Sequence, residues 1–301
     1  MSEEKSFYGD LIKFYRRSKY ILFTTITILL TWFMFVDLVD GDWGSLENSL
    51  ENLSVFFHES LWPPNWKVLE AQSYPVCERN WEILCSTGYI GIIETLKIAF
   101  VATGFGFVLS LPIAVLASRN LYRDEIAIPF RLLLSAMRTL PSIIWAILFV
   151  IIIGFGPIAG VLAMTFYTIG YLGKLQYEAI EGLSKEPLEA ARAMGLNNSE
   201  IALRVIIPEC ANNLISQILF MFEYNVRHGS VIGIVGAGGI GYYISTYLKF
   251  LQYDKVIALL IILFIVVVII DLLSIKARSY FIDDSTFKTP YLFGNLFRGK
   301  K

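Results

Sequence analysis

One apolar run of this 301-residue chain carries Glu223, Asn225, Arg227, His228 and Ser230. Ionisable groups are costly in hydrocarbon and, within a membrane-spanning helix, usually face water or the bundle interior. Glu223 and Arg227 stand four apart, the favourable order for an intrahelical ion pair, which is the plain structural reason for them. The functional reason is a polar passage, with Arg227, Asn225 and Ser230 lining a route for an oxyanion and Glu223 and His228 beside them. A guanidinium presents a planar fork that pairs bidentately with an oxyanion. Arg138, on the approach to another apolar run, is a further cation for such a route.

A second constellation lies between two apolar runs, where the chain reads Glu181-Gly-Leu-Ser-Lys-Glu-Pro-Leu-Glu-Ala-Ala-Arg-Ala-Met-Gly195. Pro187 suits the first turn of a short helix and Gly195 its C-terminal stop. Glu189 complements the N-terminal dipole, while Ala190, Ala191 and Ala193 leave a slim surface that another protein can approach closely. So short a helix is unstable alone. Asn197, Asn198 and Ser199 can cap a following helical stretch that ends towards Pro208. On pattern alone an ordinary interfacial connector is the alternative.

Gly236-Ala-Gly-Gly-Ile-Gly241 matches the spacing of a dinucleotide-binding loop, but no strand precedes it and no soluble βαβ unit surrounds it. Gly236, Gly238, Gly239 and Gly241 instead suit positive φ and close backbone approach. That predicts a re-entrant turn, either a plain one or a gate. Among the cysteines and histidines no CxxC, HExxH or paired spacing occurs, so neither a metal site nor a cysteine nucleophile is expected. No paired catalytic carboxylates or nucleophile elbow suggests an enzyme.

The elements that position these residues are membrane helices. Charged residues make up 17% of the chain, against about 25% for soluble domains, and mean hydropathy is +0.59. An all-α integral membrane fold of about six spans follows: Tyr20 to Val36, Ile98 to Ala117, Thr139 to Gly156, Pro157 to Leu172, Ala211 to Val235 and Val256 to Ile270. The first is read as a retained span, because acidic residues rather than a cleavage site follow it.

Lysine and arginine cluster before the first span, after the second, between the fourth and fifth, and after the sixth. The stretch 37–89 has just Lys67 and Arg79 against many acids. By the positive-inside bias both termini are cytoplasmic and 37–89 is an extracytoplasmic loop. Cys77 and Cys85 lie in it, either as a disulfide or as free thiols. A net charge of -1 gives no reason to expect nucleic acid. The expected layout is a cytoplasmic segment 1–19, a first span 20–36, the loop, a transmembrane core 90–275 with a short cytoplasmic helix in 186–200, and a cytoplasmic tail 276–301.

The connector is similar to the coupling motif of ABC-importer permeases: Glu-Ala-Ala, three residues, Gly, nine residues, Ile, one residue, Leu-Pro. Here Glu189-Ala190-Ala191, Gly195 and Val205-Ile206-Ile207-Pro208 meet every spacing, with branched aliphatics at the two departures. Glu94-Thr95 through Leu121, Arg138-Thr-Leu-Pro141 with Trp145 to Val150, and Phe222 to Arg227 continuing to Gly241 resemble the phosphonate-type branch of these permeases.

The resemblance implies a type I importer permease in the cell membrane, acting as a homodimer with two ATPase subunits and an extracytoplasmic binding protein. Cargo would be phosphonate, phosphite or hypophosphite. ATP and Mg belong to the partner, because this chain has no GxxxxGK[ST] loop. A methionine-type permease and an ATP-independent secondary transporter are the rival readings.

Overall fold

The computed structural model describes residues 2–39, 49–72 and 82–281, and the chain divides into two compact units, residues 1–62 and 63–301. In the first, helix α1 (Ser2–Val39) runs unbroken, and the apolar stretch Lys19–Val39 is long enough to span a membrane. Thr24, Thr25, Thr27 and Thr31 each donate to a carbonyl one turn back at 2.8–2.9 Å, which removes the cost of a bare hydroxyl in lipid. Helix α2 (Ser49–Phe56) continues into a π-helical turn, Phe57–Leu61. Cys85 is disulfide-bonded, and Cys77 lies outside the described residues.

The second unit contains α3 (Thr87–Ala117), α4 (Asp124–Thr139), α5 (Ser142–Ile153), α6 (Pro157–Glu181), α7 (Lys185–Ala193), α8 (Asn198–Glu209), α9 (Ala211–Gly233), α10 (Ile240–Lys249) and α11 (Tyr253–Phe281). Ser86 caps α3, its hydroxyl accepting the Tyr89 N–H at 3.2 Å. One face of α3 is kept slim by buried Gly91, Thr95, Ala99, Ala102 and Gly106. A Cβ on Gly106 would stand 2.3 Å from Thr168 Cγ2 of α6. With no water to drive helices together in a bilayer, such small faces supply the close packing that does.

Helices α3, α6 and α11 are each long and apolar enough to cross a membrane, but the expected continuous span Thr139–Gly156 is not one helix. It is part of a pair, α4 and α5, bent by 85°. With 12 residues, α5 reaches about 18 Å, short of the roughly 30 Å hydrocarbon core. The cause is local: the Pro141 ring disfavours helical backbone at the residue before it, and Leu140 is extended at φ -89, ψ 135. Trp145 Nε1 donates to the Met137 carbonyl at 3.0 Å and staples the break. A similar 72° bend separates α8 from α9. Between α9 and α11 the chain is also more than the expected turn, because α10 follows the glycines.

Candidate functional site

Helix α7 buries Leu188 and Ala191 against Leu121, Ile180, Ile201, Ile206 and Cys210. Glu189, Ala190 and Gly195 are exposed, as is Pro208 beyond them. Gly195 stands at φ +80, with its N–H on the Arg192 carbonyl at 2.9 Å and the Leu196 N–H on the Ala191 carbonyl at 3.3 Å. This paired C-terminal cap needs a left-handed residue, which glycine adopts without cost. Helix α8 opens on a reciprocal cap: Asn197 Oδ1 accepts the Glu200 N–H, and the Asn197 N–H donates to Glu200 Oε2, both at 2.9 Å.

The two short helices are lashed to the spans. Arg192 donates to the Asn120 carbonyl, Asn120 Nδ2 to the Ile180 carbonyl at 2.8 Å, and Asn198 Nδ2 to the Leu121 carbonyl at 2.9 Å. Glu181 accepts the Arg119 N–H at 2.7 Å and pairs with Arg131. These bonds connect the two short helices to the ends of α3, α4 and α6. Cys210 is buried under this platform, packed in the same cluster as Ile180, Ile206 and Leu214.

The polar residues of α9 separate into distinct roles. Asn225 is wholly buried, and its Nδ2 donates to Thr103 Oγ1 of α3 at 2.9 Å and Thr168 Oγ1 of α6 at 3.0 Å. Glu223 holds Arg227 at 3.4 Å and also Arg278 of α11, while Arg227 Nη2 reaches Asp271 Oδ1 of α11 at 3.0 Å. His228 stacks on Tyr224 with ring centroids 3.7 Å apart, and Tyr224 in turn stacks on Tyr167 and Tyr171 of α6. Ser230 Oγ donates to the Arg227 carbonyl at 2.6 Å. Arg138 is not part of the α9 ion network; it ends α4, where a Cβ on Gly170 would lie 3.0 Å from its backbone nitrogen.

The glycine run is a packed turn. Gly236, Gly238 and Gly239 take φ of +91, +82 and +74, and the Ile240 N–H donates to Thr95 Oγ1 of α3 at 2.9 Å. The Gly236 carbonyl accepts the Gly156 N–H at 3.0 Å. A Cβ on Gly238 would stand 2.8 Å from Glu94 Oε1. The turn is thus seated on both α3 and the start of α6.

With this geometry in hand, the family whose description is binding-protein-dependent transport system inner membrane component matches residues 99–274. The chain belongs to that family. The phosphite transport system permease protein PtxC of Stutzerimonas stutzeri is 31% identical over 257 residues, spanning 85% of this chain and 86% of that protein. The putative phosphite transport system permease protein HtxC of the same organism is 36% identical, over 64% of this chain and 69% of its own length. Among solved structures, the MetNI methionine ABC transporter in an inward facing conformation aligns with a TM-score of 0.56 at 26% identity, covering 64% of this chain and 94% of that one. A bacterial ABC transporter that imports alginate, 15% identical with a TM-score of 0.56, has the same fold.

The chain is therefore a multi-pass membrane permease subunit of an ABC importer, a transport component rather than an enzyme. Permeases of this family work with a partner ATPase, which hydrolyses the ATP, and with a substrate-binding protein. The Glu-Ala-Ala helix, the glycine turn and the α9 network except Arg278 lie inside the matched residues.

Several participants were not found from the sequence. Asp271 and Arg278 complete the α9 network, Thr103 and Thr168 hold Asn225, and Arg131 with Glu181 anchors the platform. A signal existed for one group: Tyr167 and Tyr171 stand four apart, as do Phe220, Tyr224 and His228, the spacing of neighbours on one helix face. Among the described residues no cluster of His, Cys, Asp or Glu could hold a metal ion.

Asn225→Ala should leave Thr103 and Thr168 without their shared donor and cost about 1–3 kcal/mol. The check is the thermal unfolding midpoint of the purified complex in detergent. An unchanged midpoint with lost uptake would instead place Asn225 in the passage.

Proposed function

We propose that this permease imports a phosphorus oxyanion, phosphonate or the smaller phosphite or hypophosphite, as one half of a homodimer whose two copies enclose the passage. Two ATPase subunits dock on α7, an extracytoplasmic binding protein delivers the cargo, and both termini face the cytoplasm. The basic residues in α1 up to Lys19, after α3, between α6 and α9 and after α11 support that orientation. Closure of the ATPases pushes α7, and the platform beneath it carries the motion into α3, α4 and α6, switching access from outside to inside.

The observation that carries this reading is the face where Tyr167, Tyr171, Tyr224 and His228 stand partly open beside Arg227. Phenols and a guanidinium halfway along spans are costly against lipid and suited to a wet passage. The Arg227 side chain is 48% exposed, yet Glu223 and Asp271 share its charge. Such a guanidinium attracts an oxyanion without trapping it. Weak binding is what a permease needs, since the binding protein does the selecting. The similarity to phosphite transport permeases supports phosphorus oxyanions over methionine.

The test is ATP-driven uptake of phosphite or methylphosphonate by the reconstituted complex with its binding protein. Excess methionine should not compete, and competition by methionine would favour the rival cargo. Arg227→Ala should lower uptake per assembled complex at least about tenfold, the loss of one charge-assisted contact. Normal uptake per complex would make Arg227 a structural residue only.

A further inference from the structure

A cleft of about 420 Å³ opens among the end of α3, α4 and α6, lined by Arg119, Arg131, Arg138, Lys174, Ser135 and Tyr177. Every charged side chain in that lining is a cation. Three of them are also paired with carboxylates that are not part of it: Asp124 meets Arg119 at 2.8 Å, Glu178 meets Lys174 at 3.4 Å, and Glu181 meets Arg131. Arg138 has no ion-pair partner among the described residues. The Arg131 guanidinium also lies 4.5 Å over the Tyr177 ring, which fixes its position.

The depth of these cations matters. Arg131 and Lys174 lie towards the Glu181 end of α6, the end that leads into α7. The Arg138 backbone packs beside Gly170, about 16 Å from Glu181 and about 6 Å from Lys174 along the helix at 1.5 Å per residue. The cleft thus presents a graded line of positive charge with one uncompensated guanidinium at its inner end. Ile128 and Leu132, both well exposed, complete the lining and give it an apolar edge.

We propose that this cleft binds a single phosphate-type oxyanion, held by the Arg138 guanidinium and drawn in by Lys174, Arg131 and Arg119. Guanidinium forks pair with phosphoryl and phosphonyl oxygens bidentately, and basic pockets between membrane helices at the basic side of a protein accept anionic lipid headgroups. Two sources supply that chemistry. One is an anionic phospholipid, its acyl chain along Ile128 and Leu132. The other is a small free oxyanion leaving the passage. The site stands whether or not phosphite is the cargo, because it rests on the cleft's own charges.

The experiment uses the full permease–ATPase complex in nanodiscs of phosphatidylcholine alone. In one arm phosphatidylglycerol is added and its retention through delipidation is read by native mass spectrometry. In the other, binding of methylphosphonate is measured without ATP. Retention of phosphatidylglycerol, reduced at least about tenfold in Arg138→Gln, identifies a lipid site. Methylphosphonate binding with the same dependence, and no lipid retention, identifies an oxyanion site. Should Arg138→Gln fail to assemble, Lys174→Gln must weaken binding several-fold and make it less sensitive to salt. Neither ligand binding, or binding unchanged in every variant that assembles, overturns the proposal.

Discussion

Gly195→Asp and Glu189→Lys are each expected to give an inserted, assembled permease that imports almost nothing. A Cβ at Gly195 meets no atom within 4 Å, so the change adds no clash. Asp is among the residues that tolerate a left-handed backbone, and the strain is about 1 kcal/mol. Glu189 is the fifth residue of α7, past the first turn where the dipole acts, so Glu189→Lys costs the helix little. Neither cost unfolds a helix anchored by Leu188, Ala191 and the Arg192 and Asn198 tethers.

Both residues are exposed on the face that α7 does not use for its own packing, and there the changes act fully. A new carboxylate, or a reversed charge, buried in a docking groove costs several kcal/mol, so uptake should fall by about 100-fold or more. The measurement is ATP-dependent uptake per inserted permease, alongside co-purification of the ATPase. Wild-type uptake in both variants would remove the docking role from α7.

The second large effect is expected at Gly241. A Cβ there would lie 1.9 Å from the Ser230 carbonyl oxygen and 2.9 Å from Gly233 Cα. Both obstacles are backbone, so no side chain can swing aside. Gly241→Ala must part α10 from α9 at a cost of about 3 kcal/mol, the upper end of ordinary overpacking. The control is Gly104→Ala in α3, where a Cβ meets nothing within 4 Å, and alanine is worth up to about 1 kcal/mol of helix propensity. After heating in detergent, the fraction of Gly241→Ala that elutes as intact protein should collapse, while Gly104→Ala holds or improves. Equal survival of the two would show that the turn is loosely seated.

The Glu-Ala-Ala spacing and the helix punctuation around it could be read directly, because caps and motif contacts act within a few residues. The Glu223–Arg227 pair was legible for the same reason. Its other halves were not: Asp271 stands 44 residues from Arg227, and Arg278 stands 55 from Glu223. Asn225 shows the consequence, since its type suggested a passage residue while its amide is spent on Thr103, 122 residues away.

By itself the sequence determined the membrane character, the number of apolar runs and the position of the short Glu-Ala-Ala helix. Each follows from composition and period within one segment, where chain neighbours supply the interaction. The tertiary structure alone decided which charges neutralise one another and which line an open cleft. Those outcomes depend on helices far apart in sequence meeting at backbone distance, and a pattern read along one helix does not specify which face of another it will meet.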